Sequence, residues 1–295
     1  MQIKYYNASL EFFAKARLGE GAFWDYQKER LFWIDIEKKY LYIYNPENKT
    51  NKSFQLPSKI GTVVPTKSNT AIIALQDGIY TIDLISGSLK LLSSIEKDYT
   101  NHRFNDGKCD PSGRLWVGTM SNQMESKKGS LYVVNSSGKA NKKIGNLTIP
   151  NGIAWSLDSK IMYHIDTPAR AISLYKFDNM KGSIIKKQTT INIPKEFGFP
   201  DGMTIDSSGM LWVAMWNGYS VICCDPKTGK ILSKVEVPAP NVTSCAFGGK
   251  NLEILYITSS RYSLDENEKK LNPLSGSLFR VKTGSKGVKN SFFKN

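Results

Sequence analysis

One pattern limits what this chain can fold into more than any other feature: a short apolar strand, a polar turn, then a second apolar strand, repeated six times. The copies are centred on Trp33 (LFWIDI), Ile73 (AIIAL), Trp116 (LWVGT), Tyr163 (IMYHI), Trp212 (LWVAM) and Tyr256 (ILYIT), at intervals of 40, 43, 47, 49 and 44 residues. Such a period belongs to propeller blades or to helical solenoids. A solenoid would show apolar residues at helical spacing, whereas Leu41-Tyr42-Ile43-Tyr44 and Leu131-Tyr132-Val133-Val134 read as strands. Asn45-Pro46-Glu47-Asn48, Asn135-Ser136-Ser137-Gly138 and Asp225-Pro226-Lys227-Thr228-Gly229 supply the Asx and Gly residues of hairpin tips. Six units of this size use the whole chain, residues 1–295, as a single domain. The expected fold is all-β: a six-bladed β-propeller with four-stranded antiparallel blades around a central channel. The segment before Glu20 is expected to add a strand to the last blade, closing the ring so that no sheet edge stays open.

Composition excludes several functions. The net charge is +14, but the lysine doublets (Lys38-Lys39, Lys127-Lys128, Lys142-Lys143, Lys186-Lys187, Lys269-Lys270) are scattered and arginine is scarce. That distribution describes a solvated surface and argues against nucleic-acid binding. No apolar run is long enough to span a membrane. The start, MQIKYYNASLEFFAK, lacks the apolar core of a secretory signal, so a cytoplasmic location is expected. Cys109, Cys223, Cys224 and Cys245 form no C-x-x-C pair and read as buried thiols, and two histidines are too few for a histidine zinc site.

The repeat also places a polar ring. Asn105 stands eleven residues before Trp116, Asp201 eleven before Trp212, Asn151 twelve before Tyr163, and Glu20 thirteen before Trp33. Each position is the entry to the innermost strand of a blade, with glycine directly after it or, for Asn105, one residue later. The other two blades offer only Gly61 and Ser244 there. Equivalent positions face one another around a propeller axis, so the four side chains should meet at one mouth of the channel. Any one of them alone reads as an Asx-type turn residue; four in register read as a site.

Two carboxylates and two carboxamides make an oxygen-only donor set, suited to Ca²⁺, Mg²⁺ or Mn²⁺ and acceptable to Zn²⁺. Arg103 lies two residues before Asn105 and projects to the same side, presenting a donor fork for sugar or carboxylate oxygens. Asp106 reads equally as a group behind the site or a turn cap. His102 reads as a loop residue, and Asp110, Asp158 and Asp206 as turn caps. Trp24 and Trp155 read as blade packing. Neither a phosphate-binding glycine loop nor a G-x-S-x-G elbow occurs.

These motifs carry a family resemblance. Leu18-Gly19-Glu20-Gly21 with Trp24, Asn101-His102-Arg103-Phe104-Asn105-Asp106-Gly107-Lys108, Pro150-Asn151-Gly152-Ile153-Ala154-Trp155-Ser156, Pro200-Asp201-Gly202-Met203-Thr204-Ile205-Asp206, Leu211-Trp212-Val213-Ala214 and Pro273-Leu274-Ser275-Gly276-Ser277-Leu278-Phe279 follow in family order. The chain resembles the senescence marker protein/regucalcin/gluconolactonase-like family of six-bladed propellers. The resemblance implies one divalent metal ion held by Glu20, Asn151 and Asp201, with Arg103 and Asn105 contacting substrate. It implies hydrolysis of a small-molecule sugar lactone, such as gluconolactone, to the aldonic acid, with Asp201 as general base. Two departures stand out. Ala22 replaces a common proline, and Gln123 or Glu125 stands where the family often carries an acidic sugar contact; Gln123 is taken as the substrate-binding residue. Rival readings are a non-catalytic calcium-binding or regulatory propeller, a hydrolase of other esters or lactones, and a protein-interaction propeller.

Overall fold

The marker residues explain how the blades are built. In the computed structural model, which describes residues 2–95 and 101–294, all six lie in the second strand of their own antiparallel sheet and all are buried. Blade 1 comprises Gly19–Asp25, Arg30–Asp35, Tyr40–Asn45 and Thr50–Gln55; blade 2 comprises Ile60–Pro65, Thr70–Leu75, Gly78–Asp83 and Leu89–Ser93. Blade 3 runs His102–Cys109, Leu115–Ser121, Gly129–Val134 and Ala140–Leu147, and blade 4 runs Pro150–Trp155, Ile161–Asp166, Ala171–Asp178 and Ser183–Asn192. Blade 5 holds Phe199–Ile205, Leu211–Trp216, Ser220–Cys224 and Ile231–Glu236, and blade 6 holds Asn241–Gly248, Ile254–Ser260 and Leu278–Val281. Each innermost strand packs against the next, and that of blade 6 against that of blade 1, which closes the ring.

The closure uses the N-terminus as expected, with one addition. Ser9–Phe12 pairs antiparallel with Leu278–Val281 and completes blade 6. The preceding segment, Lys4–Asn7, pairs parallel with Ile231–Glu236, so blade 5 has a fifth strand. The chain thus clasps two neighbouring blades before it enters the first. Expectation also falls short at the other end. Residues 285–294 cross the far end of the channel, where Gly287 N–H donates to Leu252 O (2.8 Å), Phe293 N–H to Pro65 O (3.0 Å) and Lys294 N–H to Gly113 O (2.9 Å). Phe292 and Phe293 are buried there.

Aspartates at the hairpin tips act as caps with a second duty. Asp110 Oδ1 accepts from the backbone N–H of Ser112 (3.0 Å) and Arg114 (3.1 Å), while its Oδ2 accepts from the indole of Trp116 (3.0 Å). Asp206 repeats this with Ser208 (2.9 Å), Met210 (2.9 Å) and Trp212 (3.0 Å). Each carboxylate therefore ties a turn to the tryptophan that fills the neighbouring gap. Trp24 stacks on Tyr256 and Trp155 packs against Trp116 and Phe177, as blade packing requires. All four cysteines are free and buried. Cys223 and Cys224 enter cores on opposite faces of their strand. Among the described residues no helix is long and apolar enough to cross a membrane.

Candidate active site

A single backbone irregularity, repeated six times, aims the ring. Pairing between the first two strands shifts at Glu20/Phe23, Ile60/Thr62, Phe104/Gly107, Pro150/Ile153, Pro200/Met203 and Val242/Ser244. A β-bulge inserts an unpaired residue and turns the local side chains, so every innermost strand bends at the same height. Glycines make this crowding possible. A Cβ on Gly152 would lie 2.6 Å from Asp201 O, and one on Gly202 2.7 Å from Thr243 O. Of the glycines beside the ring residues, only Gly21 (φ +64°) takes a left-handed backbone conformation.

The four predicted side chains do come together, and all are buried: Glu20 at 8%, Asn105 at 6%, Asn151 at 7% and Asp201 at 4% exposure. Two connected halves result. In one, Arg103 Nη1 donates to Asn105 Oδ1 (2.5 Å), and Asn105 Nδ2 donates to Asn151 Oδ1 (2.7 Å) and Pro150 O (2.9 Å). Asn151 Nδ2 then donates to Thr167 Oγ1 (2.7 Å), whose hydroxyl donates to Pro200 O (2.8 Å). This relay fixes both amides and ends on the backbone beside Asp201. In the other half, Glu20 and Asp201 lie side by side, close enough to hydrogen-bond when one of them is protonated. Asp201 Oδ1 is buried with no hydrogen-bond partner.

The electrostatics follow from burying two carboxyl groups side by side. Burial, then the charge of Asp106, pushes Glu20 up to about 8. Burial, then the charges of Glu20 and Asp106, raises Asp201 well above the usual carboxylate range. Arg103 opposes both rises but does not cancel them. Two such groups share a proton, because a hydrogen bond between them needs one and because like charges at contact cannot both ionise cheaply. The unpartnered Asp201 Oδ1, the Glu20 carboxyl and the neighbouring Asn151 amide oxygen are a donor set that a hard dication fits once the shared proton leaves. Among the described residues no group of three His, Cys, Asp or Glu side chains is placed to hold a metal ion. A cation at this ring would therefore take its third protein oxygen from an amide.

That pair gives a pH prediction. Because the folded pKa of Glu20 is raised, its contribution to the stability of the cation-free protein is complete below the unfolded value of 4.5 and is lost as pH rises through about 8. A divalent cation must displace the shared proton. Calorimetric titration with Ca²⁺ near neutral pH, in buffers of different ionisation enthalpy, is expected to show close to one proton released per cation. Apparent affinity should climb as pH rises toward 8, where the Glu20 carboxyl loses its proton. A count of zero protons would mean the two carboxylates are already ionised.

Two neighbours, Thr167 and Lys108, were not singled out as site residues from the sequence, and a third, Asp106, was left open. Thr167 sits in a one-turn 3₁₀ segment, Thr167–Ala169, outside the repeat register. Lys108 donates from Nζ to Met203 O (2.7 Å), and burial lowers its pKa. Asp106 accepts from Gly107 N–H (2.7 Å) with Oδ1, and its charge acts on both ring carboxyls. The bulge explains why Asp106 is not simply a turn cap: it turns a third acid toward the axis. Gln123 stands apart, exposed on the mouth-side turn after Leu115–Ser121, with its backbone N–H donating to Ser121 Oγ (3.1 Å).

Residues 18–261, a span holding every ring residue, match the model of the SMP-30/gluconolactonase/LRE-like region. The chain belongs to that family. It is 38% identical over 280 residues to a Bacillus subtilis member provisionally named sugar lactone lactonase YvrE, covering 94% of this chain and 96% of the relative. It is 35% identical to the regucalcin of Oryctolagus cuniculus over 276 residues, 92% of each chain. A solved structure described as a calcium-binding protein, regucalcin, from Agrobacterium tumefaciens superposes with a TM-score of 0.94, at 28% identity and over all of both chains. The family's propeller, seen in that neighbour, is the one built here from the six repeats.

Proposed function

We propose that this chain hydrolyses sugar lactones to aldonic acids at the channel mouth, using a divalent cation held by Glu20, Asn151 and Asp201. The observation that carries the reading is the buried Glu20–Asp201 pair with its unpartnered Oδ1, flanked by the Arg103–Asn105 donor arm. The name of the Bacillus subtilis relative supports the lactone as substrate. When bound, the cation supplies Lewis acidity to the lactone carbonyl.

The chain's own groups supply the rest. Arg103 and Asn105 orient the sugar through its hydroxyl oxygens, and the relay through Asn151 and Thr167 keeps that arm rigid. Asp201 accepts a proton from the attacking water as the water oxygen bonds to the carbonyl carbon. The ring C–O bond then breaks and the ring oxygen takes the proton back from Asp201, leaving a hydroxyl and a carboxylic acid. A carboxylate is a weak base, but a lactone is already electrophilic and needs modest help. Gln123, on the mouth-side turn, is the residue we assign to the outer part of the sugar.

The solved neighbour's description as calcium-binding favours a second reading, a non-catalytic calcium-binding propeller, because the same oxygens serve both. Turnover separates the two. Chelator-stripped protein is expected to release acid from gluconolactone, followed with a pH indicator, only after Ca²⁺, Mg²⁺, Mn²⁺ or Zn²⁺ is restored. Acid release at the chelated level with every cation would end the lactonase reading.

A further inference from the structure

The mouth above this acidic ring is walled by cations. A cavity of about 840 Å³ is lined by Lys15, Arg17 and Lys38 from the entry and first turn of blade 1, and by Arg261, Tyr262 and Lys269 from blade 6. Met124, on the turn next to Gln123 in blade 3, forms part of the same wall. Side chains from blades 1, 3 and 6 meet only over the mouth, not on the flank of one blade. Arg17 lies over the Tyr262 ring (5.9 Å).

Five cations in one cavity would repel one another and the dication the ring is built for. Nearby acids offset them only in part. Asp35, held by the backbone N–H groups of Arg17, Leu18 and Lys38, cancels one charge, and Glu37 pairs with Lys59 (2.7 Å) outside the cavity lining. Among the described residues only Lys269 of the five has a carboxylate partner, Glu266 (2.8 Å). Gln123 and Met124 add no negative charge to the wall. A neutral sugar gains nothing from such a field, whereas an anionic one is drawn in and held by it.

We propose that the substrate is a lactone carrying a second, anionic group, a carboxylate or a phosphate, which sits among Lys15, Arg17, Lys38 and Arg261 while the ester reaches the ring. This rests on the lactonase reading above. The test compares three lactones on the cation-loaded full-length protein: gluconolactone, the corresponding glucarate lactone and 6-phosphogluconolactone. At low ionic strength, kcat/KM for at least one anionic lactone should exceed that for gluconolactone about tenfold or more, and the excess should shrink in about 0.5 M salt. Whichever anion is preferred identifies the carboxylate or the phosphate as the natural group. The double variant Arg17→Gln, Arg261→Gln should lower the anionic-to-neutral ratio about tenfold, mostly through KM. The salt comparison needs no variant and so stands whether or not that variant folds. Hydrolysis of gluconolactone with no anionic preference at either salt overturns the anionic substrate and leaves the lactonase reading in place. No hydrolysis of any of the three overturns both.

Discussion

Asp201→Ala is expected to lower kcat/KM for lactone hydrolysis about 10³-fold or more, while the stability of the cation-free protein stays close to unchanged. The rate loss has two sources: a positioned base contributes about 10² to 10⁴, and the same side chain is one of three oxygens proposed to hold the cation. The stability half follows from what the carboxyl does in the fold. Its Oδ1 has no partner, and burial and Glu20 both oppose its ionisation. Removal costs the contact shared with Glu20 but relieves the unsatisfied Oδ1 and the opposed ionisation, so the net effect is expected to be close to neutral. Denaturant unfolding in chelator measures this directly. With cation at about a hundred times its Kd, the parent protein should gain about 2.7 kcal/mol and the variant essentially nothing. Turnover within tenfold of the parent would remove Asp201 from the reaction.

Asp110→Ala should do the reverse, costing about 3–5 kcal/mol of stability with turnover per folded molecule unchanged. This carboxylate is fully buried and receives Ser112 N–H, Arg114 N–H, Arg114 Nε (2.6 Å) and Trp116 Nε1. Truncation strands the Trp116 indole N–H in the interior, frees two turn N–H groups and takes the partner of Arg114 Nε, although the rest of that guanidinium keeps Asn179 O and Met180 O, a loss larger than that of an exposed ion pair. Asp110→Asn retains an acceptor for part of the set and should cost roughly half as much. A midpoint shift in urea with an unchanged slope is the expected signature. A loss below about 1 kcal/mol would mean that water or the backbone takes over these donors.

The two aspartates show what could be read in advance. Both precede a marker tryptophan, Asp110 by six residues and Asp201 by eleven, and that offset alone separated turn from ring. Offsets work because a propeller repeats one local geometry, so a residue's place in the repeat is its place around the axis. The same logic located Glu20, Asn105 and Asn151. It failed for Thr167, which lies in a turn outside the repeat register, and left Asp106 open between turn cap and site group, because a bulge breaks the alternation on which facing is judged. It also failed for residues 285–294, whose contacts reach blades 1, 2, 3, 5 and 6 without resembling any of them.

Alternation, turn residues and the repeat length are local properties, and they determined the strands, the number of blades and which four oxygens share a height. Tertiary structure alone decided how those oxygens are used. Only closure of the ring brings Glu20, from the first blade, against Asp201, from the fifth, where shared burial forces a proton between them. Only closure sets Arg17 beside Tyr262 across the chain's two ends. Electrostatic energy depends on distance and burial in three dimensions, and neither is written in the spacing of residues along a chain.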